Sequence, residues 1–175
     1  KANTTGSSNT AVGDNSLAAN TTAANNVAVG GYALSTNTTG TSNVAVGKIA
    51  LRFNTTGAYN TASGYGALYG NTTASYNTAV GNSALYTNTL GARNVAVGHE
   101  ALGSQNFTSA TDSYNTAVGM AAGRLVTTGV NNTLIGGNAG TANTTGNSHT
   151  AVGKSALSSN TTGAQNTAVG QGALL

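Results

Sequence analysis

Acid–base residues are few in this chain, and only His99, Glu100 and Asp112 lie near one another. An imidazole with two carboxylates could hold a metal ion or move a proton. The set is thin for either chemistry, since no third histidine, no cysteine and no partnered serine accompanies it. Position 99 also belongs to a series of unlike residues, Asp14, Lys48, Tyr65, Asn82, Met120 and Lys154, which reads as outward decoration. No phosphate cradle is expected, because no Gly-x-x-x-x-Gly-Lys-(Ser/Thr) loop leads into a helix. The expectation is a protein with no catalytic, cofactor or metal residues, and not an enzyme.

Aromatic and cationic side chains are better placed. Arg52, Tyr69 and Tyr86 follow one another at intervals of 17, as do Tyr59, Tyr76 and Arg93, with Tyr114 after a longer interval. If 17 residues make one coil of a stack, each series is a column whose members sit near strand spacing, within reach of aromatic and cation–π contact. Such columns are candidate sugar-stacking or receptor patches. The alternative is that they pack on their neighbours and close an interface.

The element that positions them is a repeat. The phrase Asn-(Thr/Val)-Ala-Val-Gly begins at Asn9, Asn26, Asn43, Asn60, Asn77, Asn94, Asn115, Asn132 and Asn166, with His149 replacing Asn in one further copy. Every interval is 17 except the 21 between Asn94 and Asn115. A repeat this short is one coil of a solenoid, not a domain. The chain is thus expected to be one all-β domain over 1–175, a parallel β-solenoid or β-roll of about ten coils with a four-residue insertion within 103–113. At ~4.8 Å per coil the rod is on the order of 48 Å long. A helical reading fails, since Gly and Asn recur every few residues and no long helix-forming stretch exists.

Within the coil Asn43–Tyr59, Val44 and Val46 alternate with Ala45 as a strand does. The β-branched column Val12, Val29, Val46, Val80, Val97, Val118, Ile135, Val152 and Val169, broken by Ser63, is expected to face inward, with Leu34, Leu51, Leu68, Leu85 and Leu157 as the second core column. The pair Ala-Leu becomes Ala122-Gly123 and Ala139-Gly140 in two coils. The Asn-Thr-Thr-Gly arm suits a turn, and Asn stacked on Asn can form amide ladders. His149, at a ladder position, is expected to cap a corner. The insertion should bulge outward, with Phe107 either an anchor at its tip or folded back over the core. Nine Asn-x-(Ser/Thr) sequons, among them Asn20, Asn37, Asn54, Asn71 and Asn160, read either as turn motifs or as a stripe of glycan acceptors.

Composition narrows the class. The chain has 25 Gly, no Pro, no Cys and six basic against three acidic residues. Collagen and a charge-rich disordered chain are excluded. Apolar runs are too short for a membrane span, and the scattered net charge of +3 makes no basic stripe for nucleic acid. Each coil has about one Val and one Leu, worth roughly 3–6 kcal/mol if buried. Ordering 17 residues at ~1.5 kcal/mol each costs more. One face of the rod is therefore expected to be covered by a partner; a homotrimer is the natural solution, although the number three is not in the arithmetic.

The coil resembles the head repeat of YadA-like trimeric autotransporter adhesins, whose Ser-Val-Ala-Ile-Gly type phrase is similar to Asn43-Val44-Ala45-Val46-Gly47 and Asn132-Thr133-Leu134-Ile135-Gly136. Similar phrases occur in phage tail-fibre proteins. The resemblance covers nearly the whole chain, although the period of 17, with its added Asn-Thr-Thr-Gly arm, is longer than in those heads. It implies a trimer, placement outside the cell on a bacterial surface or in a virion tail fibre, and an adhesive role toward a host-surface glycan or receptor. Two other classes stay open. Joining Leu175 to a following Lys1 spaces the motif Asn by 18, nearly in register for a head-to-tail filament, and the chain opens and stops inside a repeat. Thr38, Thr55 and Thr72 form a column that an ice-binding solenoid could use, although an outward Thr-x-Thr grid is not apparent.

Overall fold

In a computed structural model, which describes residues 3–175, the chain winds into a parallel β-solenoid, and among those residues there is no helix. The strands are short: β1 (Thr10–Val12), β2 (Val27–Val29), β3 (Val44–Val46), β4 (Thr61–Ser63), β5 (Thr78–Val80), β6 (Gly91–Ala92), β7 (Val95–Val97), β8 (Thr111–Asp112), β9 (Thr116–Val118), β10 (Thr133–Ile135), β11 (Thr150–Val152) and β12 (Thr167–Val169). Ten of them stack in register into one parallel sheet, and β6 pairs with β8 beside it. Each motif residue lies over its counterpart, as Ala28 over Ala45 over Ala62. The head-to-tail register of the filament reading turns on Lys1, which lies outside the described residues.

Only one side of each coil is regular strand, yet the other sides also bond coil to coil. The Leu34 N–H donates to the Ala50 carbonyl at 3.1 Å, Thr38 N–H to Thr55 at 2.9 Å, and Tyr59 N–H to Thr41 at 3.1 Å. Corners are i→i+3 turns, as from Ala33 N–H to the Gly30 carbonyl and from Asn37 N–H to the Leu34 carbonyl. Backbone pairing on every side is what lets a chain so poor in large apolar residues be ordered.

The inward strand column is alanine, not valine. Ala28, Ala45, Ala62, Ala79, Ala96, Ala117 and Ala151 are fully buried, and so are Leu34, Leu51, Leu68 and Leu85, with Leu157 nearly so. Val12, Val46, Val80, Ile135 and Val169 are exposed, and Val29, Val97, Val118 and Val152 are only half-buried. The expectation of an inward valine column is thus corrected; the leucine column is where it was placed. The cross-section explains this. The coil is narrow, and the leucine reaches across it from the opposite side, leaving room for a methyl group but not for a second branched chain.

Coils near β10 test this account, because they reverse the pattern. There the strand residue is Leu134 and the facing column holds Gly123 and Gly140. A Cβ at Gly123 or Gly140 would come within 2.7 Å of a Leu134 methyl. One leucine from the strand thus fills the space that two leucines fill elsewhere. We expect Leu134→Ala to cost about 2–4 kcal/mol through the cavity it leaves, and Gly140→Leu to cost about 1–3 kcal/mol by overpacking. The triple variant Leu134→Ala/Gly123→Leu/Gly140→Leu rebuilds the usual coil and should recover most of both losses in urea denaturation. Losses that simply add would refute the shared-space account.

A large part of the interior is amide. Asn26, Asn43, Asn60, Asn77, Asn94, Asn115 and Asn132 form one buried column, and Asn20, Asn37, Asn54, Asn71 and Asn88 another. In the first, each Oδ1 accepts the backbone N–H of the next motif residue, as Asn43 accepts from Asn60 at 3.0 Å, and each Nδ2 except that of Asn94 donates to a carbonyl of its own coil, as Asn43 to that of Gly57 at 2.8 Å. In the second, side chains bond directly, as Asn54 Nδ2 donates to Asn37 Oδ1 at 2.8 Å. No buried side-chain nitrogen or oxygen among the described residues lacks a partner. His149 continues the first column, its Nδ1 accepting the Asn166 N–H at 3.2 Å. The sequons Asn20, Asn37, Asn54 and Asn71 spend their amides inside these ladders, so in the folded chain they are turn residues with no room for a glycan.

Candidate functional site

Two aromatic columns stand on the outside of the rod. Tyr59 and Tyr76 stack with ring centroids 5.1 Å apart and planes 6° from parallel. Arg93 follows, 4.9 Å from the Tyr76 centroid and 5.8 Å from that of Tyr114. Its Nε also pairs with Asp112 at 3.0 Å. That hydrogen bond and the Asp112 charge, with smaller contributions from the neighbouring tyrosines, raise the Arg93 guanidinium above its ordinary range. Tyr59, Tyr76 and Tyr114 are all about half exposed. This column position has positive φ in every copy, 58° at Tyr59, 62° at Tyr76 and Arg93 and 48° at Tyr114. Bulky residues seldom adopt that conformation, so the turn, rather than the side chain, dictates the geometry and aims the rings outward.

The second column begins with Arg52, whose guanidinium lies 5.0 Å from the Tyr32 centroid and 5.4 Å from that of Phe53. Phe53 meets Tyr69 edge-on at 4.9 Å, and Tyr69 stacks on Tyr86 at 4.8 Å with planes 6° apart. Burial, then the nearby Tyr69 and Tyr65 phenols, push the Tyr86 phenol above its usual value. Gly66 leaves room for this ring: a Cβ there would lie 3.0 Å from Tyr86 Cε2. The structure therefore brings Arg52, Tyr69 and Tyr86 together in one column and Tyr59, Tyr76, Arg93 and Tyr114 in another. Sequence spacing identified both. It missed Tyr32 and Phe53, which sit in adjacent columns and join the second only through side-chain reach.

Of the two readings for Phe107, the structure takes the inward one. Its ring is only 7% exposed, while Asn106, Thr108, Ser109 and Ala110 around it face solvent. Its place among the contact candidates is corrected accordingly: the ring lies over Gly91, whose missing side chain makes the space. The insertion leaves the first amide ladder intact, the Asn115 N–H donating to Asn94 Oδ1 at 3.0 Å, whereas the second ladder breaks beyond Gln105, because the fully buried Val126 follows it in that column. Gln105 takes an asparagine position, and its longer arm donates to Asn88 Oδ1 at 3.1 Å while its Oε1 accepts from Asn115 at 2.9 Å. Ser113 Oγ bonds Asn94 Oδ1 at 2.9 Å.

His99, Glu100 and Asp112 do not converge. Glu100 pairs with Arg124 at 3.4 Å and Asp112 with Arg93, and His99 points to solvent. No group of three potential ligands occurs among the described residues. Thr38, Thr55 and Thr72 donate their hydroxyls to the carbonyls of Thr55, Thr72 and Thr89, at 3.0–3.2 Å, so that column is committed to joining coils.

A different outward array remains. The flanking strand positions pair Thr10, Thr61, Thr78, Thr116, Thr133, Thr150 and Thr167, or Val27, Val44 and Val95, with the exposed to half-buried Val/Ile column, making a β-branched strip, broken at Ser63, along the ten-stranded sheet. No protein-family model matches this chain, and neither a curated protein nor a solved structure matches it.

Proposed function

We propose that this chain is a segment of an extracellular structural and adhesive fibre: a stiff, self-associating rod, most simply a homotrimer, whose aromatic columns meet a host glycan or receptor. The observation that carries the reading is the outward β-branched strip. A rod that folds around alanine and leucine has no internal use for an outward valine or isoleucine in nearly every coil, and a row of exposed apolar side chains is what a partner covers. Val46 and Val80 keep 40% and 38% of their surface exposed. Covering such a side chain adds on the order of 1 kcal/mol per coil. Only a long in-register stack accumulates enough to offset the cost of association. A second copy of the chain offers a strip of the same period, which few unrelated surfaces do.

Light scattering over a range of concentrations tests this. A fixed mass of three chains is expected, and Val46→Glu/Val80→Glu should reduce it to one chain without changing the fold, because both side chains point outward. A mass that grows with concentration would favour the filament. A single chain at every concentration would overturn self-association. The same Thr/Val strip favours one other reading, ice binding; a thermal-hysteresis assay on the monomeric double variant and on the parent distinguishes it, since only an ice-binding strip would depress freezing.

A further inference from the structure

The second aromatic column is interrupted in a way that makes a cleft. Arg52, Tyr69 and Tyr86 occupy successive coils, the next coil has Gly103 at this position, and the one after has Arg124. Tyr69 and Tyr86 are stacked at one coil spacing, 4.8 Å. The far face of Tyr86 therefore looks across Gly103 toward Arg124 at about twice that spacing. The atoms nearest a Cβ on Gly103 all belong to Glu100 of the same turn, the first its carbonyl oxygen at 3.2 Å, and Gly103 itself lines an open cleft. A cleft of about 340 Å³ fills this interval, walled by Tyr86 and Leu125 and rimmed by Ser83, Ser104 and the Glu100–Arg124 ion pair.

We propose that this cleft is a saccharide-binding subsite, in which one pyranose ring lies on the open face of Tyr86 and its hydroxyls meet Glu100, Arg124, Ser83 and Ser104. The cleft spans the one coil interval that Gly103 leaves without a side chain, and its volume is at the small end for ligand clefts, which run from roughly 300 Å³ upward. The rim decides between a sugar and a flat aromatic ligand. A carboxylate accepts, a guanidinium donates and two serine hydroxyls do both, and all four line the same cleft as the Tyr86 ring. A pyranose has hydroxyls of matching sense around its perimeter and C–H groups for the ring face. A purely aromatic occupant would desolvate the ion pair and return no hydrogen bonds. Gly66 fixes the platform by letting the Tyr86 ring settle against Tyr69.

The proposal rests on the adhesive half of the function proposed above, and it deepens that half by naming the residues and the ligand class. The deciding variant is Gly103→Tyr. It continues the stack with a third tyrosine, in a column that already carries tyrosine twice, and closes the cleft. Parent, Gly103→Tyr and Tyr86→Leu proteins are applied to a printed array of defined oligosaccharides, with circular dichroism melts and solution mass measured alongside. The parent should bind one or more of the arrayed sugars. Both variants should lose at least tenfold in apparent affinity, with Gly103→Tyr melting at or above the parent temperature. Binding that survives Gly103→Tyr would overturn the cleft and leave the adhesive reading standing on the other column. A parent that self-associates yet binds no arrayed sugar would overturn both the cleft and the adhesive half, leaving the structural rod.

Discussion

Gly64→Ala is expected to abolish the folded rod or to cost it about 4–5 kcal/mol, among the largest losses a single methyl group can cause in this chain. Two causes coincide. Gly64 has φ of 137°, a backbone region closed to residues with a Cβ. The added carbon would also overlap the carbonyl oxygen of Gly81 in the next coil and sit 2.6 Å from its carbonyl carbon. Neither neighbour is a side chain that can swing aside. Both are backbone, held by the ladder between β4 and β5. The same glycine recurs from Gly13 to Gly170 with φ between 123° and 137°. At Gly170 nothing lies within 4 Å, so Gly170→Ala should suffer only the conformational part. Gly31→Ala is the control: its neighbourhood is open and its φ ordinary, and it should change stability by less than about 0.5 kcal/mol. Urea denaturation of the three variants checks the order. Equal losses at Gly64 and Gly31 would refute the close-approach argument.

Replacing Asn60 by aspartate comes second. Asn60 is fully buried; its Nδ2 donates to Asn43 Oδ1 at 3.1 Å and to the Ala74 carbonyl at 2.9 Å, while its Oδ1 accepts the Asn77 N–H at 3.0 Å. In Asn60→Asp one carboxyl oxygen keeps the Asn77 bond, and the other faces two acceptors in a dry interior. The ionised form is therefore disfavoured, and the folded-state pKa of the introduced carboxyl rises above its unfolded value of about 3.9. The sign follows from linkage. Between the two pKa values the folded state holds the proton and the unfolded state does not, so stability falls as pH rises. The variant should be nearest the parent below about pH 4, lose up to about 1.4 kcal/mol per pH unit above it, and level off at a deficit of about 3–5 kcal/mol once pH passes the folded-state pKa. Asn60→Leu separates charge from hydrogen bonding. It orphans the Asn77 N–H and should cost about 3 kcal/mol with no such pH dependence. A flat pH profile for Asn60→Asp would show that the ladder admits water.

How much of this was legible before the fold was known differs by feature. The motif asparagines and the glycine after each strand declared themselves by period alone, and a 17-residue spacing sufficed to place Tyr69 beside Tyr86 and Tyr59 beside Tyr76. The orientation of the strand was not legible. Alternation says that Val44 and Val46 share a face opposite Ala45, but it does not say which face is inside. Hydrophobicity argues for the larger residue, and the narrow cross-section reverses that choice. The fate of Phe107 was open for the same reason, since the space over Gly91 that receives its ring exists only once the coils are stacked.

By itself, then, the sequence determined the stack: its coil length, its parallel register, its amide ladders and its columns of like side chains. These follow from periodicity, because in a solenoid every residue finds its own counterpart at one coil spacing. What only the tertiary structure decided is everything that depends on the width of the coil and on which residues are absent from a column. Valine faces outward because leucine from the other side already fills the interior. Leu134 answers two glycines because all three share one space. The cleft beside Tyr86 exists because Gly103 interrupts a column on whose other side an arginine stands, a relation between three coils that no single repeat contains.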